Sequence, residues 1–418
     1  MSPASVTAAL WLYRKGAARP LAFAWGFFCV ALVPVLGFTD VLFMRYSLVA
    51  DRYQHIAIIA VIALAAAGFA AFYERAGGLM RRAAIALAIA GLAAIALLTW
   101  RQNGSYRDEI ALYRATLDKN PDSWIAHYTL GTAAFKTGQP EEVIRQFEDA
   151  LLLHPDFPEA HNSLGAMLLR TGRSDEAIEH FYRALQSRPN YAEARINLGA
   201  ALVQTGRAEE AIEQYKQVLM LRPGDVVALF NMGNALSRAN RLQEAIESYK
   251  LALQLKPDYF QADNYLGIAL FRIGRPLEAV ECFQHALTLN PKNAELHYNL
   301  GNTLFSLGRP QESIDHYKQA LQLNPDYPVA LRNLATVLIQ TGQPAEAIGY
   351  YRQSLKLEGD DVSAYSNMAV AYAETHQSSE AVASAQKAIE LARSQGQAAQ
   401  AKKIEDWLNS YRAGVAKP

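Results

Sequence analysis

The side chains best placed to do chemistry in this sequence are amides that recur at a fixed interval. Asparagines stand 34 residues apart, or twice that, in one row, and two further asparagines follow three residues later in their own segments. A side-chain amide both donates and accepts hydrogen bonds, as a peptide unit does. The pattern therefore predicts a groove that holds an extended polypeptide backbone. Its candidate residues are Asn197, Asn231, Asn234, Asn299, Asn302, Asn333 and Asn367.

Catalytic and metal-binding patterns are missing from the sequence. The nine histidines are scattered, and Cys29 and Cys282 are too far apart in sequence to suggest zinc spacing or a disulfide. There is no nucleophile elbow, phosphate-binding loop or dinucleotide fingerprint. The sequence thus predicts no catalytic residue, no metal and no cofactor, and the chain is not expected to be an enzyme.

The elements that position the amides are eight units of 34 residues, without insertion or deletion. Each unit carries a Leu-Gly pair or a close variant, from Leu130-Gly131 to Met368-Ala369. Sixteen residues later comes an aromatic in the first seven units, from Phe147 to Tyr351. Between these positions stands a glycine, or Asn240 or His376, where a left-handed backbone is expected.

A period of 34 residues with these signature positions resembles the tetratricopeptide repeat. The small residue lets two helices approach closely, the aromatic fills the space between units, and a proline ends the second helix. The resemblance implies an all-α fold with a right-handed superhelical solenoid of eight repeats over residues 124–393. We expect a connecting helix at 104–121 and a capping helix at 395–412.

The asparagine row also resembles that of the O-GlcNAc transferase solenoid, in stretches such as Ile196-Asn197-Leu198-Gly199. That resemblance implies that the amides hold a client polypeptide. Two other interpretations remain open, namely structural packing of the asparagines and docking of a helix in the groove. The basic residues at the thirteenth positions either favour acidic ligands or form a solvated face; these are Lys136, Arg170, Arg238 and Arg272.

Three apolar runs precede the repeats, at residues 21–38, 55–73 and 83–100. Each is 18 or 19 residues long, and about 20 residues span a bilayer. We therefore predict a block of three transmembrane helices at 20–103. The alternatives are a cleaved signal peptide for the first run and buried helices of a soluble domain.

The distribution of charge predicts an orientation. Residues 1–103 carry nine basic and three acidic residues, whereas the remainder carries 31 basic and 37 acidic ones. The basic loops indicate a cytoplasmic N-terminal segment at 1–19 and a repeat region on the outer side. In a bacterium this would be an inner-membrane protein with periplasmic repeats. The acidic balance of the repeats argues against a nucleic-acid partner.

The first outer loop contains Arg45 and Arg52, which are candidates for contact with a lipid phosphate. Anchoring of Arg and Tyr at the membrane interface is the alternative. The segment Val49-Ala50-Asp51-Arg52-Tyr53 resembles the late membrane region of transmembrane and tetratricopeptide-repeat O-mannosyltransferases and their bacterial relatives. The catalytic loop of that family precedes many spans, and three spans leave no place for it here.

The sequence favours a membrane-anchored scaffold that binds a protein or peptide client in the groove and contacts membrane lipid. One alternative is a C-terminal piece or subunit of a polyprenyl-phosphate-sugar-dependent O-glycosyltransferase. Another is an assembly factor for an envelope or secretion machine. No motif in the sequence identifies the client.

Overall fold

The computed structural model describes residues 109–415 and, before them, residues 77–80, 82–83, 85–87, 89–90 and 93. Residues 109–415 form eighteen α-helices and contain no strand. The chain divides into two units, one ending at Arg173 and one beginning at Ser174. The predicted N-terminal segment, the first two apolar runs and the loop with Arg45 and Arg52 lie outside the described residues.

The helices of the first unit are α1 (Glu109–Lys119), α2 (Trp124–Thr137), α3 (Pro140–Leu153) and α4 (Pro158–Arg170). The second unit begins with α5 (Ser174–Ser187), α6 (Ala192–Gln204), α7 (Ala208–Leu221), α8 (Val226–Arg238), α9 (Leu242–Leu255), α10 (Phe260–Arg272) and α11 (Pro276–Leu289). It continues with α12 (Ala294–Ser306), α13 (Pro310–Leu323), α14 (Pro328–Gln340), α15 (Pro344–Glu358), α16 (Val362–Glu374), α17 (Ser378–Ser394) and α18 (Ala398–Val415).

No helix among the described residues is long and apolar enough to cross a membrane. Seventeen of the eighteen helices of residues 109–415 are shorter than 18 residues, and the remaining one, α18, carries Lys402, Lys403, Glu405 and Asp406 within a single turn and a half. Charged side chains in a spanning helix are costly. The prediction of three transmembrane helices, and with it that of an integral membrane protein with periplasmic repeats, is therefore corrected. The fold class is an all-helical tetratricopeptide-like array.

Each helix of the second unit is set by local signals. Asp225, Asn293 and Asp361 each accept a hydrogen bond from the backbone N–H three residues later, at 2.9, 3.0 and 2.9 Å, which caps α8, α12 and α16. The turns between the paired helices have a left-handed residue, with φ of 59° at Asn240 and 60° at His376. The left-handed turn expected from the sequence is thereby confirmed.

The core of each repeat is an aromatic ring packed against a residue without a side chain. A Cβ atom added at Gly233 would lie 2.5 Å from Tyr249 Cε1, and one at Gly267 would lie 2.7 Å from Phe283 Cε1. Both rings are fully buried. The predicted close approach at the small residue is confirmed, because no side chain larger than hydrogen fits there without displacement of the ring.

The first unit repeats this arrangement once. Phe147 is buried, and its ring lies where a Cβ on Gly131 would fall, at 2.8 Å. Trp124 makes edge-on contacts with His154 and Phe157, each at 4.8 Å between ring centroids. Helix α1 packs against α2.

Helix α18 covers the C-terminal end of the second unit. Its residues Ile404 and Leu408 are buried in a cluster with Ala385 and Ile389 of α17. Ala385 occupies the position that is aromatic in the other repeats. The last repeat therefore lacks its own ring and is covered by a further helix instead, as terminal repeats require.

A histidine pair joins the two helices of the sixth repeat. His297 Nε2 lies 3.2 Å from the Pro291 carbonyl, which only accepts, so Nε2 carries the proton. His297 Nδ1 lies 3.0 Å from His316 Nδ1, and one of these two nitrogens must donate to the other. The neutral pair is satisfied by one proton between the rings.

Acidification is expected to destabilise this pair. Burial lowers the pKa of His316 from its usual 6.5, the neighbouring His297 lowers it further, and Asp315 and Glu312 offset part of that effect. Above pH 6.5 His316 is neutral in both the folded and the unfolded chain. Below that pH the unfolded chain binds the proton first, so the free energy of unfolding falls until the folded pKa is reached.

Urea unfolding of the wild type and of His316→Gln at about pH 7.5 and about pH 5.5 measures this effect. Glutamine occupies the equivalent position at Gln146 and Gln214, so the substitution suits the fold. We expect the wild type to lose more stability on acidification than the variant. An equal loss in both proteins contradicts the assignment.

Candidate peptide-binding surface

The first helices of the repeats in the second unit pack side by side and carry the predicted amides. These helices are α6, α8, α10, α12, α14 and α16, and each contacts the next one in this series. We use the name amide face for the surface on which Asn231, Asn299, Asn302 and Asn333 lie. All four side chains are half-buried. The amides are therefore neither fully solvated nor enclosed in the core.

Hydrogen bonds between successive first helices orient two members of the row. Asn299 Nδ2 donates to Asn264 Oδ1 at 2.9 Å, which links α12 to α10. Asn333 Nδ2 donates to Asn302 Oδ1 at 2.9 Å and to the Tyr298 hydroxyl at 3.3 Å, which links α14 to α12. Asn299 and Asn333 therefore use one donor group in the protein, while no residue that the structure describes donates to their Oδ1 atoms.

Sequence reasoning missed Asn264, which is 6% exposed and also donates to Glu295 Oε1 at 3.2 Å. It stands one residue before the row, at a position that is aromatic, aliphatic or basic in most other repeats. Because the residue type does not recur there, no periodic signal marked it. Its partners became visible only when α10 and α12 were placed side by side.

The second row of amides is turned toward the core. Tyr249 donates its hydroxyl proton to Asn234 Oδ1 at 2.7 Å, and Tyr317 donates to Asn302 Oδ1 at 2.6 Å. Burial raises the pKa of both tyrosines, so their hydroxyl groups stay protonated and donate. The oxygens of Asn234 and Asn302 thus have a structural partner, and their amino groups are what this row offers to a ligand.

The remaining members of the row differ in their partners. The Asn231 amide makes no hydrogen bond within the part of the chain that the structure describes. Asn197 has a partner of its own. Burial raises the pKa of Tyr351, and hydrogen bonds with Thr336 and Asn367 offset part of this rise, which places Asn367 beside that ring. Asn231 is therefore the member best suited to receive both hydrogen bonds of a peptide unit.

An aromatic residue interrupts the row in the fifth repeat. Tyr265 stands where the neighbouring repeats have asparagine, and 41% of it is exposed. Its ring centroid lies 5.6 Å from that of Phe230 and 6.3 Å from that of Tyr249. These contacts hold the ring against α8 while its outer side faces solvent.

The predicted basic positions lie at the ends of first helices. Arg238 and Arg272 are exposed last residues of α8 and α10. In the first unit, the Arg170 guanidinium lies 4.7 Å from the centroid of the Phe135 ring. The side chain of Lys136 lies outside what the structure describes.

Redox and metal chemistry find little support in the described residues. Within them there is no group of three or more His, Cys, Asp or Glu residues able to hold a metal ion. Burial, and then the charge of Asp263, raises the pKa of Cys282 to about 12, so its thiol stays protonated. The proposed lipid contacts of Arg45 and Arg52, and the resemblance to O-mannosyltransferases, stay predictions because those residues are not described.

Residues 190–404 match the family described as "Cilia and flagella-associated protein 70 C-terminal domain", and residues 95–142 and 128–192 match a tetratricopeptide-repeat family. Similar solved structures include MamA, 27% identical over 40% of this chain and 97% of that chain, with a TM-score of 0.38. PilF of Pseudomonas aeruginosa is 21% identical over 50% and 94%, with a TM-score of 0.45. YrrB, described as a TPR protein with an unusual peptide-binding site, is 21% identical over 44% and 95%, with a TM-score of 0.38.

No curated protein matches this chain. None of the descriptions given above names an enzyme, in agreement with the prediction that this chain is not one.

Proposed function

This chain belongs to the tetratricopeptide-repeat family, and from that premise we propose that its amide face binds an extended segment of a client protein through the client's backbone. Proteins of this family bind peptides or other proteins. The observation that carries the proposal is the unused hydrogen-bonding capacity of the row. Asn231 has a whole amide to offer, and Asn299 and Asn333 have their oxygens.

The spacing of the helices suits an extended backbone. Packed helices lie about 8–10 Å apart. An extended chain advances about 3.3 Å per residue, so one amide of the row meets roughly every third residue of the client. The contacts then fall on peptide groups, which every sequence has, and the client's side chains are left to other parts of the surface.

The internal hydrogen bonds of the row support binding rather than compete with it. Asn299 and Asn333 are each held by one N–H bond to the neighbouring helix. A held side chain loses less conformational entropy when a ligand arrives. The amides are therefore oriented in advance, which favours a binding role over a purely structural one.

The test uses the full-length chain and an array of immobilised random dodecapeptides. Asn231→Ala is the informative variant, because this side chain has no partner to lose within the described residues. Two lost hydrogen bonds at about 1 kcal/mol each predict a loss of peptide capture on the order of 30-fold. Circular dichroism and the urea midpoint should be unchanged.

Asn409→Ala on α18 is the matched control, since Asn409 is exposed and lies outside the amide face. It removes the same amide and is expected to leave capture unchanged. Capture by Asn231→Ala at the level of the wild type would overturn the proposal.

A further inference from the structure

The fifth repeat places an apolar surface between two groups of amides. Tyr265 is 41% exposed, and Phe271 on the same helix is 39% exposed. Contact with Phe230 fixes the ring of Tyr265 in one orientation. On one side lies Asn231 of α8, and on the other lies Asn299 of α12. A backbone that follows the amide row therefore has to pass over an aromatic side chain.

Two arginines beside this surface have no carboxylate partner within 4 Å among the described residues. Arg272 donates from Nη1 to Ser237 Oγ at 3.2 Å and from Nη2 to Asn240 Oδ1 at 3.3 Å. These bonds hold it against the end of α8, next to Arg238. Its Nε–H group donates to no described residue, so part of the guanidinium is free to bind an anion.

The other arginines at repeated positions of the second unit are treated differently by the sequence. Each donates through two nitrogens to a glutamate three residues later, in the pairs Arg207–Glu210, Arg241–Glu244, Arg275–Glu278 and Arg309–Glu312. Arg238 and Arg272 stand on adjacent helices without such neutralisation. Positive charge is therefore concentrated at one edge of the amide face.

We propose that the amide face selects client segments in which a bulky apolar side chain is followed or preceded closely by a carboxylate. The apolar side chain packs on Tyr265, and the carboxylate binds Arg272 or Arg238. This inference rests on the proposed function and adds a preference for sequence to it. The backbone contacts give affinity for any extended segment, and the fifth repeat discriminates among segments.

The dimensions of α10 set the spacing in the client. Tyr265 and Arg272 are seven residues apart, which corresponds to about 10 Å along the helix. An extended segment covers that distance in about three residues. The apolar and acidic side chains should therefore be about two to four residues apart. An arginine and a carboxylate make a charge-assisted hydrogen bond, often through two parallel N–H groups.

The experiment compares four fluorescein-labelled dodecapeptides in a Gly-Ser background by fluorescence anisotropy. The first carries phenylalanine with aspartate three residues away, the second phenylalanine with lysine, the third alanine with aspartate, and the fourth alanine with lysine. With the wild-type full-length chain we expect the first peptide to bind at least tenfold more tightly than the second and the third. Added salt should reduce the preference for aspartate.

Two variants separate the two contacts. The double variant Arg238→Gln and Arg272→Gln is expected to remove the preference for aspartate over lysine and to keep that for phenylalanine. Tyr265→Asn, which installs the residue of the neighbouring repeats, is expected to remove the preference for phenylalanine. The control is Lys402→Gln with Lys403→Gln, which removes two exposed charges from α18 and should change neither preference.

Failure of the inference and failure of the proposed function give different results. Equal binding of all four peptides, weakened by Asn231→Ala, would overturn the inference and leave backbone binding intact. No binding of any peptide to the wild type would overturn both. Preferences that persist in the arginine and tyrosine variants would also overturn the inference.

Discussion

Replacing Phe283 with alanine is expected to lower the free energy of unfolding of the second unit by about 3–5 kcal/mol. Phe283 is 1% exposed, and its ring lies directly over Gly267 of α10. Glycine has no side chain with which to refill the space, so the cavity can close only if the two helices of the repeat move together. The loss therefore includes both the buried apolar area and the cavity left behind.

Urea unfolding followed by circular dichroism measures this loss, and Phe271→Ala is the matched control. Phe271 lies on the neighbouring helix α10, but 39% of it is exposed. The same chemical change there should cost less than about 1 kcal/mol, since most surface substitutions have small effects. Equal losses in the two variants would show that the ring of Phe283 does not hold the repeat together.

Replacing Asn302 with isoleucine is expected to cost about 1–3 kcal/mol, because Tyr317 then loses the acceptor of its buried hydroxyl group. Asn302 Oδ1 accepts from Tyr317 at 2.6 Å and from Asn333 at 2.9 Å. An unpaired hydroxyl in the core keeps the full cost of its lost hydration. The two partners should therefore be strongly coupled.

The fifth repeat provides the compensated form of this pair. There the equivalent residues are Ile268 and Phe283, so neither the hydroxyl nor the amide is present. Adding Tyr317→Phe to Asn302→Ile is expected to restore much of the lost stability. A double-mutant cycle by urea unfolding measures the coupling energy. Strictly additive losses from the two substitutions would contradict a hydrogen bond of structural importance.

The sequence by itself determined the repeats, the helix pairs and the core positions. Each of these depends on residues that recur every 34 positions, and a recurring environment needs a recurring residue type. Gly233 and Tyr249 are one such pair, and Asn240 shows that even a substituted turn keeps its left-handed backbone. Local sterics fix these features, so they are readable without knowledge of which helices meet.

The apolar runs were a less secure guide. Their length alone predicted three transmembrane helices, and no helix among the described residues bears this out. The number of consecutive apolar residues measures the composition of a segment. It does not determine whether the segment forms one continuous helix, which depends on its surroundings as well.

The tertiary structure decided which polar groups of the candidate site have partners. The sequence treated Asn231, Asn299 and Asn302 alike, yet the first has no bond among the described residues, the second is held by Asn264 and the third serves Tyr317. It likewise could not distinguish Arg272 from the arginines that bind a glutamate three residues later. Hydrogen bonds act over about 3 Å between helices that are some 34 residues apart in sequence, so these partners are fixed only when the helices pack.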